Sequence, residues 1–103
     1  MMPLERHEIM DWLERFRGTT VYLHVEVTPG AFVRNAKTDI AAVHAAGDGP
    51  FRVALELPDR GWIRVEGLTH GLLDEQGRLL LAGHDELGRL TTALQLSREP
   101  FPA

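Results

Sequence analysis

The feature that most limits what this chain can fold into is a period-two alternation, repeated between turn signals over most of its length. In FRVALEL (51–57), Phe51, Val53, Leu55 and Leu57 alternate with Arg52, Ala54 and Glu56. After the turn at Pro58, Asp59, Arg60 and Gly61, the residues Ile63 and Val65 alternate with Trp62, Arg64 and Glu66. Successive side chains of a strand point to opposite faces, so each segment offers one apolar face to a core and one polar face outward. TTVYLHVEVT (19–28) repeats the pattern, with Val21, Leu23, Val25 and Val27 against Tyr22, His24, Glu26 and Thr28. Pro29-Gly30, GDGP at 47–50, DEQG at 74–77 and the segment 85–88 read as turns or loops. Residues 68–73, 78–84 and 89–97 then read as further strands. Residues 32–46 read as one long bent strand, or as two short ones broken near 37–39. Ile40 and Val43 favour strand there over helix. The sequence shows no internal repeat.

The N-terminus changes period. Leu4, Ile9, Trp12, Leu13 and Phe16 fall close to a 3–4 residue spacing, leaving Glu5, Arg6, Glu8, Asp11, Glu14 and Arg15 mostly outward. This predicts a helix over about 3–17. Pro3 suits its first turn and Gly18 the position just past its end. Its expected role is a lid on the sheet, with a partner-binding helix as the alternative. The tail EPFPA, with two prolines, predicts irregular structure over 98–103. At 103 residues the chain suits one domain, 1–103. The expected fold is mainly β: a small antiparallel β-barrel of about six or seven strands over 19–97, with an N-terminal α-helix.

Composition removes several functions. There is no cysteine, so disulfides, thiolate nucleophiles and thiolate metal sites are excluded. The net charge is −4, and the 11 Lys and Arg, ten of them Arg, are scattered. That is not the basic footprint of a nucleic-acid binder. No apolar run approaches the roughly 20 residues of a membrane-spanning helix. The acidic, charge-interrupted start is no signal peptide, and a cytoplasmic setting is expected. Ser97, the lone serine, stands in no elbow or triad context. GDGP lacks the lysine and following helix of a phosphate loop.

What is left is the polar side of the strands. Tyr22, His24 and Glu26 share one strand, Arg52 (with Glu56) another, and Trp62, Arg64 and Glu66 a third; His84 ends a fourth. An aromatic ring set among His, Glu and Arg can grip a polar small molecule such as a sugar. The same residues also suit an ordinary solvated face with cross-strand ion pairs. Tyr22 and Trp62 would equally mark a homodimer interface. Five histidines raise the question of a metal: His24 and Glu26 lie on one face, and His84 with Asp85 could join them. No established ligand spacing is present, so no metal, cofactor or catalytic residue is assigned. Gly83, inside a strand, predicts a bulge or a close approach of another backbone. His84, beside Asp85 and Glu86, could serve acid–base work only with a partner and a pocket.

The blocks TTVYLHVEVT, RNAK, GDGPFRVALEL, GWIRVEGLT and RLLLAGHDELGRLTTALQLS resemble the YojF-like family of small Bacillus-type proteins. The resemblance runs from about residue 19 to the C-terminus, with a match in the N-terminal helix. It implies a small β-barrel with that helix and no established activity. It also implies a setting beside a zinc-dependent sugar-amide deacetylase of the bacillithiol pathway, which makes a low-molecular-weight thiol. The expectation is therefore a non-enzymatic binding or accessory protein, linked to that deacetylase or to a small polar ligand. The alternatives are a small metal- or acid/base-dependent enzyme using His24, Glu26, Glu66 and His84, and a homodimeric interaction module.

Overall fold

The computed structural model describes residues 1–102. In chain order the elements are β1 (Met2–Pro3), α1 (Arg6–Glu14), β2 (Thr20–Val27), β3 (Ala31–Asp39), β4 (Ala42–Ala46), β5 (Phe51–Glu56), a 3-10 turn (Pro58–Arg60), β6 (Trp62–Leu68), β7 (His70–Leu73), β8 (Leu79–His84) and β9 (Leu90–Ser97). Every pairing is antiparallel. Six strands form one sheet in the order β1-β7-β8-β9-β2-β3, and three form a second, β4-β5-β6.

The fold is thus mainly β with one helix, as expected, but among the described residues neither sheet closes into a barrel. The chain instead passes between the sheets at two bends. Ile40 donates its N–H to the Thr19 carbonyl at 3.0 Å, and Ala41 donates to the Glu56 carbonyl at 2.8 Å. Hydrogen bonding thus changes sheet between adjacent residues. The second bend is Thr69, the one residue between β6 and β7, whose N–H reaches the Ala82 carbonyl at 2.9 Å. Strands that bend at corners let two packed sheets share a core without a continuous ladder. Residues 32–46 are accordingly two strands, with the break at Ile40 and Ala41 rather than at 37–39.

Alternation fills the space between the sheets. Val21, Leu23, Leu79, Leu81, Leu94 and Leu96 from the larger sheet meet Val43, Phe51, Val53, Leu55, Val65 and Leu68 from the smaller. Ile9, Leu13 and Phe16 of the N-terminal segment are fully buried in the same core, which makes α1 the expected lid. The helix is shorter than its periodicity suggested. Beyond Glu14, turn bonds from Phe16 to Leu13 (2.9 Å) and from Thr19 to Phe16 (3.0 Å) carry the chain to β2. Gly18, at φ +78°, makes the reversal. Pro3 does not open the helix; it lies in β1 opposite His70. An edge position suits a residue with no N–H to donate.

The backbones of the two sheets approach closely where β6 meets β8. A Cβ added to Gly83 would lie 2.0 Å from the Gly67 carbonyl oxygen. The register also shifts between Gly83 and His84. Gly83 is therefore a close approach; the extra residue of the adjacent bulge is Thr91, on β9.

Candidate functional site

The outer face of β4, β5 and β6 carries the Trp62 group. Register places His44, Ala54 and Arg64 in one cross-strand row, and Glu56 directly opposite Trp62. Arg52 points the same way, because its neighbours Phe51 and Val53 face the core. Trp62 is 56% exposed. Its ring lies 5.8 Å, centroid to centroid, from His44, which Glu56 holds through a 3.0 Å Nε2–Oε2 contact. Arg52, Ala54, Trp62 and Arg64 line an open cleft of about 620 Å³. The Ala54 methyl keeps its floor low. Arg64 reaches Glu66 only at 3.7 Å, and Arg52 has no ion pair among the described residues. An exposed indole stacks on a sugar or planar ring, and uncommitted guanidinium groups grip carboxylate or phosphate in a bidentate fork.

Tyr22, His24 and Glu26 lie on a different surface, the outer face of the six-stranded sheet. His24 is buried; its Nε2 is 3.1 Å from the Glu26 carboxylate, and its Nδ1 has no hydrogen-bond partner among the described residues. The Phe32 ring stands 6.0 Å away. Glu26 also accepts the Thr28 hydroxyl at 3.1 Å, and Lys37 lies 5.7 Å from the Tyr22 ring centroid. These side chains are occupied within their own sheet. His84 does not join them: its ring meets His70 at 5.6 Å. Glu66 belongs to β6, in the other sheet. Among the described residues no three His, Cys, Asp or Glu could hold a metal. The convergence that an enzyme built on His24, Glu26, Glu66 and His84 needs is not present. Tyr22 and Trp62 likewise stand on different sheets and do not make one aromatic patch.

Two features escaped the sequence reading. The first is a latch on the tail. Asn35 sits at φ +58° in a bulge of β3, where the pairing with β2 shifts register. Its amide donates to the Phe101 carbonyl and accepts the Phe101 N–H, both at 2.8 Å. Arg34 donates twice to the Pro102 carbonyl, at 3.1 and 2.7 Å, and its guanidinium lies 5.1 Å from the Phe101 ring centroid. The tail is irregular but held, with Phe101 buried.

The second is a loop used twice, DEQGR at 74–78 and DELGR at 85–89. In each, the Asp N–H bonds the Arg carbonyl at 2.9 Å, and Gly77 or Gly88 takes φ near +77°. In each, one Asp oxygen accepts two backbone N–H groups: Gln76 and Arg78 in the first, Leu87 and Arg89 in the second. The other oxygen takes the Arg Nε, at 2.6 and 2.8 Å. For Asp85 the Arg89 N–H, then the Arg89 side chain and the Leu87 N–H, hold the carboxyl below its ordinary 3.8. For Asp74 partial burial pushes upward, but the N–H and guanidinium of Arg78 outweigh it, and the result is again lowered. Sequence spacing carried this signal: D-E-x-G-R appears on both sides of β8.

A family described as a protein of unknown function (DUF1806) matches residues 3–101. The chain is 37% identical to a Bacillus subtilis relative, "Uncharacterized protein YojF", over 98% of each chain. It is also similar to the crystal structure of Bacillus subtilis YojF, with a TM-score of 0.91 and 40% identity, covering 99% of this chain and 97% of that one. Among the described residues no helix is long and apolar enough to cross a membrane.

Proposed function

The chain belongs to the DUF1806, or YojF-like, family of unknown function, and from that premise we propose that it is a non-enzymatic protein that binds a small anionic ring compound on the face of β4–β6. The observation that carries this is the exposed Trp62 beside Arg52, which has no ion pair among the described residues, and Arg64, whose contact with Glu66 is a long 3.7 Å. On a chain of net charge −4 such a pair favours an anion locally. A sugar ring would lie on the indole, and its carboxylates would meet the two arginines. The family resemblance gives the finer reading: an accessory protein of the bacillithiol-pathway deacetylase in the cytoplasm, taking that enzyme's sugar–malate substrate or product.

The test uses the emission of Trp62 in a Trp12→Phe background, which leaves one tryptophan. Titration with a sugar–malate glycoside should shift that emission. Arg52→Ala and Arg64→Ala should each weaken the response by about tenfold, as for the loss of one charge-assisted pair. Emission that stays constant to millimolar glycoside overturns the ligand assignment. A native pull-down read by intact-complex mass spectrometry tests the accessory role; recovery without the deacetylase overturns it.

A second reading, a homodimer, draws on β3, an edge strand. Val27, Phe32 and Val33 near it are all more than half exposed. A monomer by sedimentation at micromolar concentration ends that reading.

A further inference from the structure

The outer face of β7 and β8 holds a second concentration of chemistry, separate from Trp62. His70 pairs directly with Ala82, and His84 lies two residues further along β8, so both imidazoles project to the same side. Their rings meet edge to face, with centroids 5.6 Å apart. Both line an open cleft of about 610 Å³, together with Thr69, Asp85 and Glu86.

We propose that His70 and His84 form a two-histidine site for a borderline divalent transition metal ion such as Zn²⁺, Ni²⁺ or Cu²⁺. With a metal–nitrogen distance of about 2.0 Å, an imidazole centroid lies about 3.2 Å from the ion. Two such rings on a tetrahedral ion have centroids about 5.2 Å apart. The observed 5.6 Å is close to that spacing. His70 is oriented for this role: its Nδ1 is 2.8 Å from the Thr69 hydroxyl, which lies 3.4 Å from the Ala82 carbonyl. When that hydroxyl donates to the carbonyl it accepts the Nδ1–H, leaving a bare lone pair on Nε2. A hydrogen bond from the second nitrogen is how ligating histidines are usually fixed. Asp85 is committed to its own loop and supplies charge rather than a ligand. Glu86 has no hydrogen bond or ion pair among the described residues and adds negative charge beside the two rings. Water, or a group on a bound molecule, fills the rest. With only two protein ligands, the ion is exchangeable and its outer positions stay open.

The proposal does not rest on the Trp62 face, and its test is independent of it. Tag-free, full-length protein is titrated with each metal ion, by calorimetry and by NMR of the histidine side chains. One ion per chain should bind, with Cu²⁺ tightest and Ni²⁺ and Zn²⁺ weaker, while Mg²⁺ does not bind. Paramagnetic Ni²⁺ should broaden the His70 and His84 resonances before those of His7, His24 and His44. His70→Gln and His84→Gln should each weaken binding roughly tenfold or more, and Glu86→Gln less. Circular dichroism of both Gln variants checks that the sheet is intact. No binding at millimolar Zn²⁺ overturns the proposal, and so does one-to-one binding that survives in the double His→Gln variant.

Discussion

At the scale of single residues, the most consequential position is Asn35. Few side chains other than glycine accept a positive φ, and Asn is among them because its short amide bonds locally. Here the amide bonds instead to a residue 66 positions away and holds the tail at both its N–H and its carbonyl. Asn35→Ala should therefore lose two hydrogen bonds and incur backbone strain, about 2–3 kcal/mol in all. Asn35→Gly keeps the backbone free and should cost less. Urea unfolding of the two variants checks this; equal midpoints for wild type and Asn35→Ala would show that the latch contributes nothing. Gly83 and Asn35 differ in how legible they were. A glycine inside an alternating strand announces itself, and its neighbour Gly67 explains it. Asn35 announces nothing, because a bulge is a property of register between two strands and its partner lies at the far end of the chain.

At the scale of elements, alternation located β2, β5 and β6 because each has one face in the core and one outside, and flanking turn signals located β8 and β9. It failed for β1, where pairing to an edge rather than burial makes the strand, and Pro3 read more naturally as a helix start. The two D-E-x-G-R loops were read as turns but not as the same turn. Their aspartates have carboxyls lowered in the folded chain, so their contribution is present above the unfolded value of 3.8 and is lost as pH falls through the folded values. Asp74→Ala and Asp85→Ala should thus destabilise at pH 7 and have much less effect at pH 2–3. Denaturant midpoints at the two pH values measure this. An equal loss at both would mean that the loops act through shape and not through the carboxylate charge.

At the scale of the molecule, the sequence indicated antiparallel strands around one core but not where they part into two sheets. The reason is physical: a barrel and a sandwich with bent corners present the same alternating pattern, and what separates them is two hydrogen-bond exchanges, at Ile40–Ala41 and at Thr69. The candidate residues were affected in the same way. Their outward direction was legible, but their sheet was not, so one imagined face became two. Tyr22, His24 and Glu26 belong to one, and Arg52, Trp62, Arg64 and Glu66 to the other. The twin loops also set a sequence of events in time. They close hairpins between strands that adjoin in the chain, whereas Leu23 of β2 must find Leu96 of β9 across most of its length. Short-range closure is fast and long-range closure slow, so β7, β8 and β9 should assemble first and β2, β3 and the tail should dock onto them late. Stopped-flow folding would then show Asp74→Ala and Asp85→Ala chiefly slowing refolding and Asn35→Ala chiefly hastening unfolding. The reverse partition would mean that the molecule is nucleated from its far-separated strands.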